Sequence, residues 1–198
     1  MNLLDFPLPS NLPRPVDDGA AAHLMGMWMP EISLPSTAGR EVMLSDLNAA
    51  RTVIYCYPMT GVPGKPLPDG WDMIPGARGC TPQTCGFRDQ HGAFTELKVA
   101  VFGLSTQTTG YQREMAGRLH VPFEVLSDAE FRLTDRLRLP TFTVDGMRLL
   151  KRLTLVVRDG RIAHVFYPVF PPDQSATEVL HWLESHPILD VGNPDLSG

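Results

Sequence analysis

Two runs carry the strongest apolar signal in the chain, and neither has a helical period. Thr52-Val53-Ile54-Tyr55-Cys56-Tyr57 is β-branched and aromatic, and Val99-Ala100-Val101-Phe102-Gly103-Leu104-Ser105 is apolar almost throughout. Both read as buried central strands. Around them the spacing turns helical. From Thr84 to Lys98, Phe87, His91, Phe94 and Leu97 fall near one face, which predicts a single amphipathic helix. Gly110–Leu119 puts Tyr111, Met115 and Leu119 on a common face. Ser127, ahead of Asp128-Ala129-Glu130, reads as a capping box opening a helix through Phe131, Leu133 and Leu137. Ser175–Ser185, with Val179, Leu180, Trp182 and Leu183, is a closing helix.

Shorter elements fill the gaps. Glu31–Leu44 reads as two short strands around a Gly turn, followed by a one-turn helix at Ser45–Asn48. Pro122–Leu126 is a short strand. Phe142–Val144 and Arg148–Leu150 flank Asp145-Gly146, a strong hairpin turn. Arg152–Val157 and Ile162–Tyr167 form a second hairpin around Arg158–Arg161. Strand–helix–strand–helix, then a hairpin and a helix, predicts an α/β fold with a mixed sheet. Residues 1–23, with Pro7, Pro9, Pro13 and Pro15, read as an extended arm carrying a short helix at Gly19–Leu24. The body runs over 24–186 and a loose tail over 187–198. Met25-Gly26-Met27-Trp28-Met29 reads as an anchor packed on the body, with a partner surface as the alternative.

Composition narrows the function. A chain of 198 residues suits one domain with a real core, and 43% hydrophobic and 20% charged residues are ordinary for a soluble globule. A net charge of −5 with no basic stripe argues against nucleic acid. No run approaches the ~20 apolar residues that cross a bilayer. Asp5 and the lack of a basic n-region argue against a signal peptide, so the expected compartment is the cytoplasm. Three cysteines cannot all pair internally, and in a cytosolic chain a local thiol pair points to catalysis over stapling. Cys56, inside a predicted strand, reads as a core residue.

The chemistry concentrates in Ile74-Pro75-Gly76-Ala77-Arg78-Gly79-Cys80-Thr81-Pro82-Gln83-Thr84-Cys85-Gly86-Phe87-Arg88-Asp89. Thr81 is a good N-cap and Pro82 suits the first helical position. A cysteine at a helix start meets unpaired N–H groups and the positive end of the dipole, which favour the reactive sulfur anion. If one helix covers both thiols, ideal geometry sets their Cα atoms roughly 8.6 Å apart and about 140° round the axis. A disulfide needs about 7 Å or less. Either the first turn unwinds on oxidation or Cys80 lies outside it. Structural zinc wants four ligands at closer spacing, and His91 cannot complete such a set. A thioredoxin-type centre has two intervening residues, where this pair has four.

Gly79-Cys80-Thr81-Pro82-Gln83-Thr84-Cys85-Gly86-Phe87-Arg88-Asp89 resembles the active site of the peroxiredoxins, and most closely their Q-type, bacterioferritin-comigratory-protein-like branch. The similarity runs over roughly residues 24–185. It implies a thioredoxin-like fold: an N-terminal β-hairpin, then a mixed central sheet flanked by helices. It implies Cys80 as the peroxidatic cysteine and Cys85 as the resolving cysteine. Lys151-Arg152-Leu153-Thr154 resembles the start of the strand that bears the family's catalytic arginine, which carries that role to Arg152. The resemblance further implies a peroxide substrate and a thioredoxin-like reductant, with no metal, haem or flavin. A monomer suffices for a local thiol pair, and a dimer stays open.

One departure stands out. The family joins its strand to the reactive cysteine by Pro-x-x-x-Thr-x-x-Cys. Here Pro58 lies 22 positions before Cys80, so about 15 extra residues, rich in Pro and Gly and holding Trp71, sit within 59–79. Beside an active site, a long loop pinned by a Trp reads as a lid or a substrate-shaping rim. Gly61-Val62-Pro63-Gly64-Lys65 is not a phosphate loop, because the spacing is wrong and Pro66 replaces the Ser/Thr. The family threonine falls at Ala77. Folding the insert outward would return Pro58 and Thr60 to the pocket, with Thr60 supplying the hydroxyl and Thr81 a weaker candidate. The thiol peroxidase competes with a redox-sensing adaptor that uses the same pair as a switch.

Overall fold

The computed structural model describes Leu8 and residues 11–188. The rest of the expected arm and the tail from 189 lie outside the described residues. In chain order the elements are β1 (Ser33–Pro35), β2 (Glu41–Met43), β3 (Arg51–Cys56), α1 (Cys80–Asp89), α2 (His91–Glu96), β4 (Val99–Ser105), α3 (Thr109–Arg118), β5 (Val125–Ser127), α4 (Arg132–Leu137), β6 (Thr141–Val144), β7 (Met147–Leu150), β8 (Leu153–Arg158), β9 (Arg161–Phe166) and α5 (Ser175–Ser185).

Alternation along β3 sets up two cores. Successive side chains leave a strand on opposite faces. Ile54 and Cys56 enter one hydrophobic cluster with Leu104, Leu155 and Leu133 of α4. Val53, Tyr55 and the following Tyr57 enter the other, with Phe87, Phe94, Met115 and Leu183 from α1, α2, α3 and α5. The strand is buried along its whole length, as its unbroken apolar run predicts. It sits at the centre of a five-stranded sheet in the order β5-β4-β3-β8-β9. The β3–β4 and β4–β5 pairs are parallel, and β3–β8 and β8–β9 are antiparallel. The sheet is therefore mixed and covered by helices, and the β1–β2 pair supplies the small antiparallel unit near the N-terminus. No helix among the described residues is long and apolar enough to cross a membrane.

Several local expectations change. Residues 84–98 do not form one helix. Gln90 leaves helical geometry at φ −100°, ψ 8° and separates α1 from α2. Gly92, a poor helix former, lies just beyond. Neither Ser45–Asn48 nor Gly19–Leu24 is helical: Ser45 closes a turn followed by irregular chain, and residues 20–23 form a turn. The predicted capping box at Ser127 is replaced by Asp128. Its carboxylate accepts from the backbone N–H of Leu133 and Thr134 and from the Thr134 hydroxyl. The Ser127 hydroxyl instead donates to the Gln107 carbonyl at 2.6 Å.

The insert folds back on the body. A 3₁₀ turn at Trp71–Met73 buries Trp71, which forms a third apolar cluster with Ala77, Val144 and Leu149. The Trp71 ring lies 6.2 Å from that of Phe142, centroid to centroid. The insert thus rests on the β6–β7 hairpin, and its return brings Ala77–Gly79 against the start of α1.

Candidate active site

The start of α1 is set by a backbone position, not by a side-chain cap. Gly79 is the N-cap, with φ 102° and ψ 19°. That is a conformation L side chains rarely adopt. A Cβ there would overlap the Pro172 ring. Thr81 and Pro82, expected as N-cap and first residue, are the second and third residues of the helix. Cys80 is the first. The first intrahelical bond runs from Gln83 N–H to the Gly79 carbonyl, so Cys80 and Thr81 keep free amides at the positive helix end.

Two contacts hold α1 to its neighbours. The Phe87 ring stacks on Tyr55 of β3 with centroids 4.4 Å apart, and the Tyr55 hydroxyl donates to Thr84 Oγ1 at 3.3 Å. On the other side, Gly86 lets the helix approach the Pro172–Gln174 turn. A Cβ at Gly86 would lie 3.3 Å from the Asp173 carbonyl oxygen.

Arg152, just before β8, reaches beneath the first turn of α1. It is 3% exposed. Its Nη2 lies 3.2 Å from Cys80 Sγ and 3.2 Å from each of the carbonyl oxygens of Gly76, Ala77 and Arg78. Its Nη1 donates to Gln83 Oε1. Gln83 Nε2 in turn donates to Ser175 Oγ at 3.2 Å. A buried chain of contacts therefore runs from Ser175 of α5 through Gln83 to the guanidinium and the sulfur. Sequence reading missed Gln83 and Ser175. Neither ionises, and only the one-turn offset of Gln83 from Cys80 on the helix hinted at a shared site.

Cys80 Sγ also lies 3.5 Å from the Ala77 carbonyl oxygen. The sulfur opens onto a cavity of about 410 Å³. Thr60 lines the same cavity. Its backbone N–H and hydroxyl both donate to Gln107 Oε1, at 3.1 and 3.3 Å, and the Tyr111 hydroxyl donates to its carbonyl at 2.7 Å. Thr81 is on the wall as well. Pro58 is buried immediately after β3 and is not among the lining residues. Ala77, at the family threonine position, is buried and offers only its carbonyl.

Cys85 is half-buried on the same helix, and no disulfide is formed. Burial pushes its thiol up. The Arg88 and Arg118 guanidinium groups oppose that shift and the Asp89 carboxylate adds to it. Since α1 contains both cysteines, bonding them requires its first turn to open. Burial also pushes the Cys56 thiol up, far above the ordinary range, which fits a core residue. Among the described residues no three metal-ligating side chains converge.

Comparison with known proteins adds a lineage. The family model described as Redoxin matches residues 24–180. Peroxiredoxin Bcp of Escherichia coli K12 is 29% identical over 163 residues, covering 79% of this chain and 93% of its own length. A chloroplastic peroxiredoxin Q of Gentiana triflora is 24% identical over 182 residues, 89% of this chain and 76% of its own. Among solved structures, the peroxidoxin BcpB of Mycobacterium tuberculosis superposes with a TM-score of 0.67 at 25% identity, covering 82% of this chain and 97% of that one. The fold is thioredoxin-like, as the resemblance implies, and its mixed sheet is the one the order of elements predicts.

Proposed function

The chain belongs to the Redoxin family, among its Q-type peroxiredoxins, and from that membership we propose a thiol-dependent peroxidase acting through Cys80. The observation that carries the reading is the 3.2 Å contact between Arg152 and Cys80 Sγ, with Cys80 itself on the lining of an open cavity. A guanidinium stays charged at any working pH and offers a rigid fork of donors. The anion of a cysteine, not its thiol, is the nucleophile.

The Cys80 anion attacks the terminal oxygen of a hydroperoxide. An S–O bond forms, the O–O bond breaks, and two electrons pass from sulfur to oxygen. The leaving alkoxide or hydroxide takes a proton from solvent and departs as alcohol or water. Arg152 holds the developing negative charge, and donors fixed where charge grows lower the barrier. The Thr60 hydroxyl, already donating to Gln107, keeps lone pairs to accept the peroxide O–H. Cys85 then attacks the Cys80 sulfenic acid, forming the disulfide and expelling water. An external dithiol of the thioredoxin kind restores both thiols by exchange. The pair is local, so one chain completes the cycle as a monomer, and the expected compartment is the cytoplasm.

The presence of Thr60 on the cavity lining supports the enzyme over the redox-sensing adaptor, because its hydroxyl is a candidate for the group that position 77 lacks. Peroxide consumption by purified protein with a dithiol reductant tests the reading. Turnover is expected from the wild type and none from Cys80→Ser. Equal turnover by Cys80→Ser would overturn it.

A further inference from the structure

The cavity over Cys80 is far larger than hydrogen peroxide needs, and its charge is one-sided. At about 410 Å³ it falls in the range of pockets that hold organic ligands, about 300–1,000 Å³. Met59, Val62, Leu67 and Trp71, all from the insert or its edge, give it apolar walls. Lys65, Arg78 and Arg118 stand on the lining, and among the described residues no Asp or Glu does, in a chain whose net charge is −5.

The three cations are not equally engaged. Arg78 Nη1 donates to Asp72 at 2.9 Å. Arg118 gives Nε and Nη2 to Glu114, and Nη2 also to the Gly61 carbonyl at 3.2 Å. That leaves Arg118 Nη1 without a hydrogen bond among the described residues. Its pairing with Glu114 is a partly exposed (i, i+4) contact, which is weak and does not cancel the guanidinium charge. Lys65 makes no ion pair among the described residues. Its loop is held by a hydrogen bond from its N–H to the Val62 carbonyl at 3.0 Å.

We propose that this cavity selects organic hydroperoxides that carry an apolar body and an anionic group, a carboxylate being the simplest. The –OOH end meets Cys80, the apolar body lies against Trp71 and Leu67, and the anion is held by Lys65 and Arg118. The insert, absent from the family spacing, is then the specificity element. This rests on the peroxidase reading above and goes beyond it by naming the substrate class.

The test compares kcat/KM for para-carboxycumene hydroperoxide, its methyl ester and hydrogen peroxide. The acid and the ester differ only in charge and one methyl group. The acid is expected to be preferred about tenfold at low salt, from two exposed ion pairs giving roughly threefold each. The preference should shrink toward unity as salt approaches about 1 M, where screening acts within ~3 Å. Lys65→Ala, in an exposed turn, and Arg118→Ala should each lower the acid-to-ester ratio about threefold, and Arg118→Lys should largely restore it. Equal rates for acid and ester, or a ratio insensitive to salt and to Lys65→Ala, would overturn the proposal while hydrogen peroxide turnover leaves the peroxidase reading standing. No turnover of any of the three would overturn the reading itself.

Discussion

Arg152 Nη2 lies 3.2 Å from Cys80 Sγ although 72 positions separate them in the chain. β8 delivers the guanidinium and α1 delivers the sulfur, and the sheet register fixes their meeting, with Leu153 opposite Cys56. Arg152→Met should therefore slow the reaction of Cys80 with peroxide on the order of a hundredfold to a thousandfold, the scale of removing one preorganised charge-stabilising donor. Arg152→Lys keeps the charge but loses the fork, so its rate should fall between. Stopped-flow tryptophan fluorescence during oxidation measures both. An undiminished rate in Arg152→Met would remove the guanidinium from the chemistry.

Gln83 connects that arginine to Ser175 and is fully buried. Gln83→Leu preserves the volume and strands Nη1 of Arg152 in the interior. An unsatisfied buried donor costs roughly 1–3 kcal/mol. Urea unfolding should show that loss, and the peroxide rate should fall with it because the guanidinium loses its brace. Ser175→Ala leaves the Gln83–Arg152 contact in place and should have the smaller effect on rate. The reverse order of the two variants would contradict the relay.

Gly79→Ala should be disproportionately costly for one methyl group. Its φ of 102° lies where an L residue is strained, and the new Cβ meets the Pro172 ring. Backbone strain of this kind costs about 1–3 kcal/mol before the overlap is counted. The denaturation midpoint should drop with no change in m-value. A midpoint within error of the wild type would show that the N-cap conformation is not required.

The pH dependence of Cys85 follows from its burial, which raises the thiol above its ordinary value against the pull of Arg88. Folding thus holds the proton more tightly. The contribution to stability is complete below the unfolded thiol value of about 8.5 and is lost as pH rises from there toward the folded value. Iodoacetamide labelling of Cys85 in a Cys80→Ser, Cys56→Ser background, followed against pH, should show a midpoint above that of a free cysteine. A midpoint at or below the free value would contradict the burial seen here.

The sequence exposed whatever depended on pattern or on reactive residue type. Thr52–Tyr57 and Val99–Ser105 announced the two central strands by their unbroken apolar character, and Cys80, Cys85 and Arg152 stood out by chemistry and by family resemblance. What it hid were choices between equivalent local options. Thr81 and Ser127 have good capping side chains, yet Gly79 and Asp128 hold those places, because the tight approach of Pro172 demands a glycine and a carboxylate can satisfy two amides and a hydroxyl together. The break at Gln90 was invisible because the apolar stripe continues through it from Phe87 to Phe94. Gln83 and Ser175 were missed because their importance lies wholly in contact with groups distant in sequence. The insert could be recognised by length, but its packing on Phe142 through Trp71 required the fold.

The central claim is that the Cys80 sulfur takes the oxidant and Cys85 on the same helix rescues it. The most direct measurement is the intact mass and cysteine mapping of reduced protein after one equivalent of hydroperoxide. A loss of two hydrogens located to Cys80–Cys85, replaced in Cys85→Ser by oxygen addition at Cys80, is the expected result. A protein that consumes the peroxide with Cys80 and Cys85 both still reduced would contradict it.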